Sequence, residues 1–306
     1  MSILRAMSDE LSGLVARILP TVVALTDPKT HSSGSGFLID GAGHVVTNFH
    51  VVADCEPVVR ASLPGGPVQD AKVLGVDQFT DLAVLQLEQP PDKFVEFRAE
   101  PAKLGELCFA LGSPLGDLTE SVTSGIVSGL ARTIRHQLTT RPIERCIQID
   151  CAINPGNSGG PVFDVEGYVI GVATAGRNDA DNVGFAVAAT TALAIVPELI
   201  QYGKVERGSL GIGVAPRLIE LAGLPTSRQA VTNVSTRAAE AGVRAGDVIL
   251  TIEGTIADER ADLYDHLGRD SIGQPINLEL LRDEEVVTVT LTATALEPAR
   301  GAEMRK

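Results

Sequence analysis

Short apolar runs alternate with glycine-rich and polar turns over most of the chain, a pattern that predicts many short strands and few helices. Residues 21–25, 36–40 and 44–48 read as strands, separated by a loop at 27–33 and a Gly41-Ala42-Gly43 turn. An apolar strand follows Asp81, and further strands and glycine turns fall in Leu111-Gly112-Ser113-Pro114-Leu115-Gly116 and in 122–129. Residues 146–150 resume the strand pattern, 162–172 alternate like a hairpin around Glu166-Gly167, and 184–187 read as a last strand. Many short strands at such spacing suggest a barrel. Two helices interrupt the pattern. The first has Ser8 as its predicted N-cap and Leu11, Leu14, Val15, Ile18 and Leu19 on one face until Pro20 breaks it; the second spans 190–203 and stops at a glycine. The polar stretch 131–144 reads as a mobile surface loop.

From residue 209 the pattern changes to that of a smaller α+β unit. Residues 209–214, 246–252, 276–281 and 286–291 read as strands, the last two joined by Asp283-Glu284, with helices at 238–241 and 260–268. The predicted division is therefore an N-terminal helix and first strand at 1–33, the remainder of the first domain at 34–203, and a linker at 204–208. A second domain at 209–296 and a tail at 297–306 complete the chain. No residue of the second unit calls for catalysis, and a binding module is the preferred reading.

Composition narrows the function classes. A net charge of −14 with 21% charged residues in 306 argues against a surface for nucleic acid or anionic lipid. No apolar run approaches the roughly 20 residues of a membrane helix, so no integral membrane segment is expected. The first ten residues lack the basic start and apolar core of a signal peptide, which predicts a cytoplasmic protein. Cys55, Cys108, Cys146 and Cys151 form no Cys-x-x-Cys pair and have no histidines at zinc-ligand spacing. Buried thiols are expected, and neither a metal nor a cofactor.

The candidate chemistry centres on Asn154-Pro155-Gly156-Asn157-Ser158-Gly159-Gly160-Pro161. Glycines around Ser158 let backbone N–H groups turn toward a substrate, and Gly156 and Ser158 are candidate oxyanion donors. Gly-x-Ser-x-Gly also fits a hydrolase elbow, but that elbow leads into a helix and needs a later histidine. Here a hairpin follows, and His266, the only histidine after Ser158, lies in the second unit. The base is therefore sought upstream. His50 closes the 44–48 strand where a side chain can reach a cleft, and Asp81, in preference to Asp77, sits immediately before an apolar strand and can orient an imidazole.

Three segments, Thr47-Asn48-Phe49-His50-Val51-Val52, Thr80-Asp81-Leu82-Ala83-Val84 and Asn154 to Pro161, resemble the active-site blocks of HtrA/Deg serine proteases. Gly242-Val243-Arg244-Ala245-Gly246-Asp247-Val248-Ile249-Leu250 resembles part of a PDZ domain. The resemblance implies a mostly β chain: a chymotrypsin-like double β-barrel followed by a small α+β PDZ domain. It implies an ATP-independent serine endopeptidase acting on unfolded or damaged polypeptides, with His50, Asp81 and Ser158 as the triad and Gly156, Asn157 and Ser158 shaping the oxyanion hole. Substrate strands would pair near Ala173, Thr174 and Ala175. With no acidic residue at Ala152 or Ile153, small or medium aliphatic residues are expected before the cut. The PDZ unit would capture C-terminal peptides, the carboxylate held around Ser209, Leu210, Gly211 and Ile212. A homo-oligomer is implied, a trimer being favoured. The alternatives are a non-proteolytic chaperone or scaffold, and an enzyme that rests inactive until a peptide reorders residues 131–144.

Overall fold

The structure, a computed structural model, describes residues 2–28, 33–53, 55, 58–113, 120–139, 141–176, 181–221 and 223–297. The chain forms two compact units, Met1–Val205 and Glu206–Lys306. Parts of the expected loop at 27–33 and of the 111–116 stretch, and the expected tail beyond Glu297, lie outside the described residues.

The first unit opens with helix α1 (Ile3–Ile18), whose N-cap is Ser2, not the Ser8 expected from the apolar face; the helix begins about two turns before that face does. Strands β1 (Val22–Thr26), β2 (Ser33–Leu38) and β3 (His44–Thr47) lead to a four-residue helical turn, α2 (Phe49–Val52). Next come β4 (Val58–Ser62), β5 (Gln69–Asp77) and β6 (Leu82–Leu87). These six strands close a barrel in the order β1-β2-β3-β6-β5-β4, filled by Leu25, Leu38, Val45, Val59, Leu85 and Leu87. The second barrel comprises β7 (Leu107–Gly112), β8 (Ser121–Ile134), β9 (Ile143–Ile149), β10 (Pro161–Phe163), β11 (Val169–Gly176) and β12 (Gly184–Ala188). It has the same connectivity: β7-β8-β9 and β10-β11-β12 are runs of consecutive antiparallel neighbours, and the β9–β12 and β7–β10 pairings close the barrel.

The segment expected as a mobile loop at 131–144 is strand at both ends, 131–134 and 143–144, with a turn between them. β8 continues to Ile134, carried past three register shifts against β9, and Ile143 resumes the ladder. Ile134 and Ile143 are buried, which a surface loop would not allow. Residues 130–133 are all exposed, so no alternation marks the end of the strand in the sequence.

Helix α3 (Ala189–Tyr202) packs on β5 and β6 of the first barrel and on β11 and β12 of the second. It stops where Gly203 takes a left-handed φ of 71° and donates to the Leu199 carbonyl at 3.0 Å. Phe37, Val46 and Leu82 from one barrel and Phe109, Phe163 and Val187 from the other join Val196 and Leu199 in one continuous core.

Three of the four thiols are buried, and Cys108 Sγ lies 3.6 Å from Cys151 Sγ. The hydrogen bond between them, reinforced by burial, holds the Cys108 thiol protonated.

In the second unit, β13 (Gly208–Ser209) is followed by the long hairpin β14 (Ile212–Leu221) and β15 (Leu224–Val234), then by α4 (Thr236–Glu240). The strand expected at 209–214 is broken at Gly211, whose φ of 73° turns the chain between β13 and β14. The rest is β16 (Val248–Ile252), β17 (Thr255–Ile256), α5 (Arg260–Asp265), β18 (Pro275–Arg282), β19 (Glu285–Thr292) and β20 (Thr294–Ala295). The sheet runs β14-β15-β16-β18-β19, with β17 beside β16, so β14 is an edge strand. Gly208 donates to Leu267 O and Leu296 donates to Arg207 O, each at 2.7 Å; the end of the expected linker is thus pinned into this unit. The sequence Gly246-Asp247 has a structural role. Buried Asp247 accepts both Arg282 guanidinium bonds at 2.7 Å and the Arg244 amide at 2.8 Å, and these hold its carboxyl below the usual range against the desolvation that opposes it.

A second ion-pair cluster secures the first unit. Arg98 forks onto Glu106 at 2.5 and 2.9 Å and reaches Asp164 at 2.9 Å, while Asp164 caps the β10–β11 turn through the amides of Glu166, Gly167 and Tyr168. The Arg98 bonds lower the Glu106 pKa from 4.5 to about 2. A depressed folded-state value stabilises the fold above the unfolded pKa and is lost as pH falls toward the folded one. Glu106→Gln should therefore lower stability near neutral pH by about 1–2 kcal/mol, and the gap to wild type should narrow between pH 4.5 and about 2 in denaturant titrations.

Candidate active site

His50 sits on α2 and not on the end of a strand: the chain leaves β3 at Asn48, which caps the turn in extended conformation. The turn is tied to Asp81 by four bonds. Phe49 N–H and Asn48 Nδ2 donate to the Asp81 carbonyl at 3.0 and 2.9 Å, His50 N–H donates to Oδ1 at 3.0 Å, and His50 Nδ1 lies 2.7 Å from Oδ2. Asp81 is fully buried and has a φ of 58°, a left-handed conformation that aspartate tolerates better than most side chains. Asp77, the competing carboxylate, builds the preceding turn by accepting from Thr80 Oγ1 at 2.6 Å.

The remaining donor to Asp81 comes from the second barrel. Thr174 Oγ1 donates to Oδ2 at 2.5 Å, and the Thr174 carbonyl accepts the Ser158 hydroxyl at 3.1 Å. The imidazole, the carboxylate and the serine thus belong to one network, with the Ser158 hydroxyl turned to Thr174 and not to His50. Thr174 is available because β11 bulges there: Ala173 pairs with Ala186 and Ala175 with Phe185, leaving 174 unmatched.

The serine turn is held by close backbone approach. Gly159 has a φ of 85°, and a Cβ there would fall 2.1 Å from Ser35 O and 2.2 Å from Thr47 Oγ1; one on Gly160 would fall 2.1 Å from Leu111 O. Asn157 N–H donates to Asn154 O at 3.0 Å, Gly159 N–H to Ala173 O at 2.7 Å and Gly160 N–H to Asn157 O at 2.9 Å. Among the described residues the amides of Gly156 and Ser158 donate to no protein acceptor. Of the three residues expected to shape an oxyanion hole, Asn157 therefore spends its amide on the turn, and two donors are left. Of the three expected to pair with substrate, Ala173 has both backbone groups occupied by Gly159 and Gly160, and Thr174 faces Asp81 and Ser158; Ala175 is left at the half-buried end of the strand.

Ser35 carries a role that sequence reading missed. Fully buried in β2, it donates from Oγ to Gly156 O at 2.6 Å and from its amide to Ser158 O at 2.8 Å, and it accepts from Ser113 N–H and Thr47 Oγ1. The signal was the Gly34-Ser35-Gly36 spelling. A Cβ at Gly34 would meet Val51 at 2.6 Å, so small residues there mark close contact and not a nucleotide cradle.

In the second unit, Ser209, Leu210, Gly211 and Ile212 fall together between β13 and β14. Gly211 N–H is engaged by Ser209 Oγ at 3.2 Å and Gly211 O accepts from Ser235 N–H at 2.8 Å, while α5 packs beside the edge strand β14.

Residues 34–172 match the trypsin-like peptidase domain family and residues 208–293 the PDZ domain family. The chain is 37% identical to Protease Do-like 1, chloroplastic, of Arabidopsis thaliana, over 85% of this chain and 63% of that protein. It is also 37% identical to the periplasmic serine endoprotease DegP of Salmonella typhimurium, over 90% of this chain and 62% of that protein. The chain thus spans less than two thirds of these relatives' length, and their named compartments differ from the cytoplasmic one expected from the N-terminal residues. Among solved structures, an HtrA-type protease AlgW with a tripeptide superposes with a TM-score of 0.82 at 34% identity, covering 95% of this chain and 98% of that one.

Glycine substitutions test the packing of the serine turn. Gly159→Ala should lose about 2 kcal/mol or more, because both its φ and its neighbours exclude a methyl. Gly13→Ala, in α1 with nothing within 4 Å of its Cβ position, should be neutral or gain up to about 1 kcal/mol. Thermal or denaturant unfolding of the two variants reads the difference.

Proposed function

The chain belongs to the HtrA/Deg family of serine proteases, and we propose that it is an ATP-independent serine endopeptidase acting on unfolded or damaged polypeptides. The observation that carries the reading is the convergence of His50, Asp81 and Ser158 on one hydrogen-bonded network beside two unengaged amides.

Asp81 accepts a hydrogen bond from His50 Nδ1–H, which leaves Nε2 as the base. Ser158 Oγ turns from the Thr174 carbonyl, gives its proton to Nε2 and attacks the scissile carbonyl. The resulting oxyanion lies against the amides of Gly156 and Ser158, where one donor is worth about a hundred- to a thousand-fold in rate. The His50 imidazolium, stabilised by buried Asp81, protonates the leaving amine. Water then enters by the same steps and releases the acid. Preference for small or medium aliphatic residues before the cut is supported by Ile153, an aliphatic residue five positions before the serine whose atoms approach within 3 Å of the Cβ positions at Gly176 and Gly184. The strand edge from Ala175 onward is the proposed place for substrate pairing.

The PDZ unit supports recruitment of C-terminal peptides by strand addition, since β14 is paired on one side only and α5 lies beside it. The carboxylate is assigned to the turn Ser209-Leu210-Gly211-Ile212. Self-association into a trimer is supported by α1, which exposes Ile3 at 79% and Leu4 at 78%.

A fluorophosphonate probe tests the nucleophile and its base together. Wild type should be labelled and Ser158→Ala should not; casein digestion should then yield fragments that follow aliphatic residues. Binding of denatured protein with neither labelling nor fragments would favour a chaperone or scaffold. Light scattering after size exclusion should give three times the 32.0 kDa chain mass, and a monomer mass would refute the trimer.

A further inference from the structure

The turn between β8 and β9 reaches across to the first barrel. His136, two residues beyond the end of β8, lies against His50 with ring centroids 4.3 Å apart and planes inclined by 28°. Further along the same turn, the Arg141 guanidinium carbon stands 4.9 Å from the centre of the Phe79 ring, two residues before Asp81. One segment of the second barrel therefore touches both the base and the turn that presents its carboxylate.

The turn also fixes the protonation of His136. Its Nδ1 accepts the Leu138 amide at 3.3 Å, and its carbonyl accepts the Thr139 amide at 3.3 Å and hydroxyl at 3.1 Å. With Nδ1 used as an acceptor, the neutral ring carries its proton on Nε2, and a second proton would break the bond to Leu138. Burial first, and then the charge of His50, lower the His136 pKa, while Asp81 pulls the other way.

We propose that His136 is a positioning residue for His50: a neutral imidazole stacked on the face of the base, holding that ring in the plane set by Asp81 while it exchanges protons with Ser158. The inference rests on the triad reading above. During attack His50 becomes a cation. An uncharged ring over its face accepts that change, whereas a second cation at the same separation opposes it. The charged groups that act on His136 from the first barrel are His50 and Asp81, and Arg141 on its own turn is stacked on Phe79.

Steady-state cleavage of a peptide substrate by the full chain, from pH 5 to 9, tests this with three variants. His136→Ala should lower kcat about tenfold with KM unchanged, because the ring of the base is freed to tilt. His136→Phe, which keeps a planar partner, should restore most of that loss. His136→Lys should move the acid limb of kcat/KM down by about one pH unit or more and lower the plateau, since a fixed cation makes His50 a weaker base. Wild-type kcat and an unmoved acid limb in both the Ala and Lys variants would overturn the proposal. So would a change confined to KM, which would make His136 a substrate contact, or a Phe variant no better than Ala. A wild type that neither cleaves nor takes the fluorophosphonate would overturn the triad reading and this inference with it; an active wild type with indifferent variants overturns the inference alone.

Discussion

A carboxylate with no access to water is the constraint around which the first unit is organised. An unpaired charge at Asp81 would cost several kcal/mol, so the fold must bring donors to it. They come from two directions: the amide and ring of His50 from the first barrel, and the hydroxyl of Thr174 from the second. The same bonds that make the buried charge tolerable also align the imidazole. Stability and chemistry are consequently hard to separate at this position, and the left-handed backbone of Asp81 is held by bonds from Asn48 and Phe49 to its carbonyl.

Contact between the barrels is made by small residues. Ser35, Gly159 and Gly160 let three backbone segments approach within hydrogen-bonding distance, and Ser35 alone links β2 to both ends of the Gly156–Ser158 turn. By fixing the Gly156 carbonyl on one side, that contact helps leave the neighbouring amides available on the other. Helix α3 serves the same junction with apolar contacts, packing on strands of both barrels.

Much of this was legible in the sequence where the signal is local. Alternating apolar residues marked most strands, the Asp283-Glu284 turn has the paired positive φ values of a two-residue hairpin, and the spellings around His50, Asp81 and Ser158 stood out against ordinary turns. What was illegible depends on partners far away along the chain. Ser35 meets Gly156 across 121 positions, and Thr174 meets Asp81 across 93. Neither residue is unusual in its own neighbourhood. His136 was passed over because it lies in a polar stretch, and its meaning appears only when β8 is seen to run long enough to carry the following turn over the site. The β14–β15 hairpin was missed for the opposite reason: its outward side chains are mixed, so no clean alternation marks it.

Thr174 has two jobs carried by different atoms: its hydroxyl serves Asp81 and its carbonyl holds Ser158. The buried carboxylate and the serine therefore share one mechanical support, placed on a bulge where the backbone has no ladder partner to correct it. A disturbance of that bulge reaches Asp81 and Ser158 at once. The two side chains are thus coupled mechanically through a single residue.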